Sequence, residues 1–140
     1  TKIRYIGFEI DENLFSTASQ KLRDYLNCEL YNKYLDEVSI QFDPNQTVVY
    51  VRGVLATMSK HERSSLIVQL HSLQARKYII IERIYTHKLE KALDFNPGNR
   101  SINLKEFEVF DGYDLEVKRI IAHEKLIIFG SGYQLTFTKS

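Results

Sequence analysis

Polar and apolar positions change period several times along this 140-residue chain, and each change marks an element. Lys2–Ile10 alternates, with Arg4, Ile6, Phe8 and Ile10 on one side, which predicts a strand. Asp11 or Asn13 then caps a helix whose Leu14, Ala18, Leu22 and Tyr25 or Leu26 recur at three-to-four spacing. Leu30, Tyr31 and Tyr34 extend that helix or form a second short one, and Val38, Ile40 and Phe42 alternate as a half-buried strand. Asp43-Pro44-Asn45-Gln46 is turn chemistry, because proline presets φ and the Asp and Asn side chains bond locally. Thr47–Leu55 is a β-branched strand. Ser59 and Glu62 stand at capping-box spacing before a helix marked by Leu66, Leu70 and Leu73, and Tyr78-Ile79-Ile80-Ile81 follows as a strand.

The resulting order over residues 2–87 is β-α-β-β-α-β, which implies an α+β, ferredoxin-like antiparallel sheet with two helices on one face. Lys88–Leu93 adds a helical turn, and Asp94–Asn99 is a breaker. Beyond it the strands Ile102–Phe110, Tyr113–Ile121, Lys125–Phe129 and Tyr133–Thr138 form an antiparallel meander, with Asp111-Gly112 and Gly130-Ser131-Gly132 as tight links. The chain reads as a single domain, 1–140, with a ferredoxin-like part at 1–93 and a β-rich extension packed on it at 100–140.

Composition narrows the function classes. Cys28 is the only cysteine, so no intramolecular disulfide forms and the thiol reads as a small buried hydrophobe. The cytoplasm is the expected compartment, and no apolar run reaches a membrane-spanning length, so no membrane partner is expected. Net charge is +1, but residues 57–91 hold seven Lys/Arg against three Glu, a local +4, with three of the four histidines. Such asymmetry steers an acidic partner or is a solvated face.

Motifs for chemistry are sparse. Neither G-x-x-x-x-G-K-[ST] nor G-x-G-x-x-G nor G-x-S-x-G occurs. His61 and His71, ten residues apart on one helix, point about 80° apart around its axis, which suits no metal, and His87 and His123 lack ligands at useful spacing. Glu116-Val117-Lys118 has the E-x-K form of metal-dependent nucleases, but on an alternating strand it reads as a solvent face, with Leu115 and Val117 buried beneath. No catalytic residue, metal site or cofactor is assigned, and catalysis ranks behind binding.

The sheet face is the sharper candidate. In a ferredoxin-like order the first and third strands are neighbours, which places Tyr5, Tyr50 and Arg52 together to stack bases. Tyr5-Ile6-Gly7 resembles the first-strand motif of the RNA-recognition motif, whereas Tyr50-Val51-Arg52-Gly53 lacks that family's aromatic-rich third strand. Alternatively the C-terminal strands cover this face and make both tyrosines core. The sequence therefore favours a small non-catalytic interaction or regulatory module that binds a protein partner or itself as a homodimer. The alternative is a nucleic-acid binder using Tyr5, Tyr50 and Arg52 with Lys60, Arg63, Arg76 and Lys77.

Overall fold

A computed structural model of the chain describes residues 3–84, 102–120 and 131–140. It divides into two compact units, Thr1–Gln41 and Phe42–Ser140. The expected turn at Lys88–Leu93, the breaker at Asp94–Asn99, the strand at Lys125–Phe129, His87 and His123 lie outside the described residues.

The first unit is a β-α-β element. β1 (Tyr5–Phe8) leads into α1 (Glu12–Leu22), which returns the chain to β2 (Cys28–Tyr31). Asp11 caps α1: its Oδ1 accepts from the Leu14 N–H at 2.9 Å. β1 and β2 pair in parallel, from Tyr5↔Cys28 to Phe8↔Tyr31. Parallel strands need a crossover, and α1 supplies it. At the amino end of the pair Arg4 grips Glu29 with Nε–Oε1 at 2.6 Å and a second nitrogen at 3.1 Å. The hydrogen bond from Arg4 holds the Glu29 carboxyl below its ordinary value.

The second unit begins with another β-α-β element. β3 (Val48–Arg52) is followed by a 3-10 turn (Leu55–Thr57), α2 (Lys60–Ser72) and β4 (Lys77–Ile84). Ser59 and Glu62 form the expected capping box, the Glu62 carboxylate accepting from the Ser59 N–H at 2.8 Å. β3 and β4 are parallel, from Val48↔Lys77 to Arg52↔Ile81. A 3-10 turn (Leu104–Phe107) precedes β5 (Tyr113–Ile120), and β6 (Ser131–Lys139) completes the sheet. The order is β3-β4-β6-β5, with β6 antiparallel to both of its neighbours.

The core lies between this sheet and α2. Tyr78, Ile80, Leu135 and Phe137 from the sheet meet Ile67, Leu70, Phe107 and Phe110, all buried. Each such side chain contributes about 1.5–3 kcal/mol by leaving water. The Tyr78 hydroxyl, deep in this layer, donates to the Leu70 carbonyl at 2.6 Å and accepts from the Ala75 N–H at 3.1 Å. Burial pushes its pKa up to about 12. His71 lies edge-on to Phe110, ring centres 5.4 Å apart, and so serves as a packing ring.

The ferredoxin-like sheet is not formed. The expected element string is present, but β1 pairs with β2 and β3 with β4, both in parallel, where the expectation requires an antiparallel sheet with β1 beside β3. The second strand is Cys28–Tyr31, read from sequence as helix, whereas Val38–Phe42 alternates without joining a strand. Ile102–Phe110 is not a strand either; its middle is the 3-10 turn at Leu104–Phe107, capped by Asn103. Each unit instead contains one parallel β-α-β element, and in the second unit β6 and β5 extend the sheet antiparallel.

Candidate functional site

In open α/β sheets, ligands bind beyond the carboxyl ends of the strands. Glu9 stands there in the first unit, and in the second Glu82 lies near the end of β4.

Glu9 directly follows β1. Its N–H donates to the Tyr31 carbonyl at 3.0 Å, and its own carbonyl accepts from Asn32 Nδ2 at 2.8 Å. The main chain at the strand end is thereby tied to the end of β2. The carboxylate is half-buried and turns toward the start of α1, where Oε1 accepts from the Asp11 N–H at 3.0 Å. Among the described residues Oε2 takes no hydrogen bond. The result is a carboxylate fixed by one oxygen and available through the other, suited to accept from a hydroxyl.

Glu82 lies near the carboxyl end of β4 and is only 4% exposed. It shares a sheet face with Tyr78, Ile80 and Ile84, all buried. Oε1 accepts from the Leu55 N–H at 2.8 Å, so Glu82 holds the turn that follows β3. Burial raises its pKa, opposed by the amides of Leu55, Val54 and Ala56 and by the charge of Arg63. Oε2 is buried without a hydrogen-bond partner among the described residues. Behind it Arg63, 1% exposed, makes a bidentate pair with Glu106 at 2.7 and 3.2 Å.

A cavity of about 410 Å³ lies along β1 and β2, and Glu9 is not among its lining residues. Tyr5, Gly7, Leu22, Tyr25, Cys28 and Leu30 supply most of its wall, which is almost wholly apolar. Among the described residues no group of three or more His, Cys, Asp or Glu side chains is placed to hold a metal, and no helix is long and apolar enough to cross a membrane.

The residues expected to form a nucleic-acid face fall in both units. Tyr5 is on β1 and Tyr50 on β3, strands of different sheets, so the two are not on paired strands. Both are exposed, at 56% and 58%, and neither is core. Tyr50 and Arg52 do share a face of β3. Lys60 opens α2, whereas Arg76 and Lys77 follow its far end, about 20 Å away by helix rise. Arg63 is spent on Glu106 and Met58 inside the core. Glu116 and Lys118 are exposed on β5, and Leu115 and Val117, expected beneath them, are exposed as well.

Sequence reading passed over Glu9 and Glu82. Glu9 was legible as an acidic residue closing an alternating strand just before a helix cap. Glu82 continues the even-numbered buried positions of an apolar run, a pattern in which a charge signals a fixed partner.

No protein-family model matches the chain, and no curated protein matches it. Solved structures do. The magnesium protoporphyrin IX methyltransferase of Synechocystis PCC 6803 with bound SAH superposes with a TM-score of 0.69 at 20% identity, over 98% of this chain and 64% of that one. The same enzyme with bound SAM gives 0.68 at 16% identity, over 98% and 60%. The N-methyltransferase NodS of Bradyrhizobium japonicum WM9 gives 0.68 at 8% identity, over 97% and 73%. The chain thus spans about three-fifths of the length of the first of these enzymes. The likeness establishes a fold shared with SAM-dependent methyltransferases and replaces the ferredoxin-like assignment. The expectation of a small non-catalytic interaction or regulatory module is corrected as well, since these structural neighbours are methyltransferases.

Proposed function

We propose that this chain contributes the S-adenosylmethionine (SAM) site of a methyltransferase. The observation that carries the reading is Glu9: a fixed carboxylate with a spare oxygen at the carboxyl end of a parallel strand, in a fold shared with methyltransferases. A carboxylate in that position of a dinucleotide-binding sheet accepts from ribose hydroxyls. The adenosyl group of SAM carries two such hydroxyls, and the residues at the end of β1 fit them. Bound SAM supplies a methyl group on a positively charged sulfur, for transfer to a nucleophilic atom of an acceptor.

The protein's part is binding and orientation. Glu9 Oε2 accepts from the ribose, while the Asp11 amide keeps the carboxylate from rotating away. In the second unit Glu82 fixes the turn after β3, a turn at the carboxyl end of a parallel strand.

Calorimetric titration with S-adenosylhomocysteine, which has the same ribose and does not react, tests this. We expect saturable binding, weakened about 10- to 100-fold by Glu9→Ala, the loss of a hydrogen bond to a charged group. Absence of binding, or equal binding by Glu9→Ala, would overturn the assignment.

A further inference from the structure

β5 closes one side of the four-stranded sheet, and among the described residues no strand pairs with its outer edge. Asp114 to Arg119 are all exposed. Leu115 and Val117, 46% and 44% exposed, stand opposite the buried Phe137 and Leu135 of β6. A long edge strand with exposed apolar residues is a template for pairing.

The direction of the free backbone groups follows from one bond. Ser140 N–H donates to the Gly112 carbonyl at 3.1 Å, one step beyond the Tyr113↔Lys139 pair. Bonded and non-bonded pairs alternate in an antiparallel ladder. Asp114, Glu116 and Lys118 therefore turn their N–H and C=O groups to β6. Leu115, Val117 and Arg119 turn theirs outward, to the open edge.

We propose that β5 pairs antiparallel with β5 of a second copy of this chain, about a two-fold axis through Val117. In that register outward groups meet outward groups: Val117 faces the partner's Val117, and Leu115 faces the partner's Arg119. The charges fit as well. Glu116 faces the partner's Lys118, and symmetry repeats the pair, at non-bonded positions where side chains approach most closely. Moving the axis to Glu116 sets two glutamates against each other, moving it to Lys118 sets two lysines, and moving it to Leu115 sets Asp114 against the partner's Glu116. The order of charges on β5 thus selects one self-complementary register and gives a closed, symmetric dimer. The exposed Leu115 and Val117, and an E-x-K motif with no metal ligands around it among the described residues, find a use together. The dimer does not depend on the SAM reading.

Light scattering over a protein concentration series tests it. The wild type is expected to reach the mass of two chains. Glu116→Lys and Lys118→Glu each replace two attractions by two repulsions and are expected to weaken association at least about ten-fold. Combining the two substitutions restores opposite pairs and is expected to restore the dimer. Hydrogen exchange on the wild type gives a second readout, since the outward Val117 amide is protected only in the dimer. A monomer at all concentrations, a dimer indifferent to both single substitutions, or a freely exchanging Val117 amide in the dimer would overturn the proposal.

Discussion

Glu82 keeps its carboxyl group away from water, with one oxygen bonded to Leu55 and the other without a hydrogen-bond partner among the described residues. Its pKa in the folded protein is raised, chiefly by burial. The contribution it makes to stability is complete below the ordinary value of 4.5 and is lost as pH climbs through the raised value. Over that window each pH unit removes up to about 1.4 kcal/mol. Glu82→Gln retains an oxygen for the Leu55 amide and carries no charge. As pH rises above the ordinary value of 4.5 this variant is expected to gain stability relative to the wild type in urea titrations. A difference that does not change with pH would mean that Glu82 is as comfortable folded as unfolded. Arg63 is the complementary case. It occupies a core position of α2, in line with Ile67 and Leu70, and sequence reading counts it as surface charge. Hydrophobicity carries no sign of a guanidinium whose carboxylate, Glu106, stands 43 residues away.

At the scale of elements, local chemistry was readable and its products are in place. Ser59→Ala removes the oxygen that accepts the Glu62 amide and is expected to cost about 1 kcal/mol of stability, measured as a shift of the urea midpoint. No shift would mean that α2 starts independently of its cap. Asp11, the Asp43-Pro44 turn and β4 were equally legible, because each depends on neighbours within a few residues. β2 was not. Leu30 prolongs the helical spacing of Leu22 and Leu26, and nothing in Cys28-Glu29-Leu30-Tyr31 reveals that Tyr5–Phe8 waits beside it. Val38, Ile40 and Phe42 misled in the opposite sense: they alternate as a strand does, yet strand identity requires a partner.

For the molecule as a whole, the same β-α-β-β-α-β string serves two architectures, and only pairing separates them. Pairing is set by contacts between distant residues, which is why the fold and the place of Glu9 within it had to come from the structure. The units also differ in how they are held. No described residue of the first unit is buried, whereas the second contains all the buried residues among those described. Amide exchange is expected to be slowest in β4 and β6 and faster in β1, β2 and α1, with S-adenosylhomocysteine slowing the latter group. Uniform protection would show that the first unit is held as firmly as the second. β6 carries a further consequence for how the chain is made. It is the last of the six described strands in sequence, yet it lies between β4 and β5. A ribosome releases β5 before the strand that will join it to β4 exists. Through that interval β5 lacks the neighbour it has in the finished sheet, so the nascent chain exposes to its surroundings, chaperones included, the edge that β6 later covers.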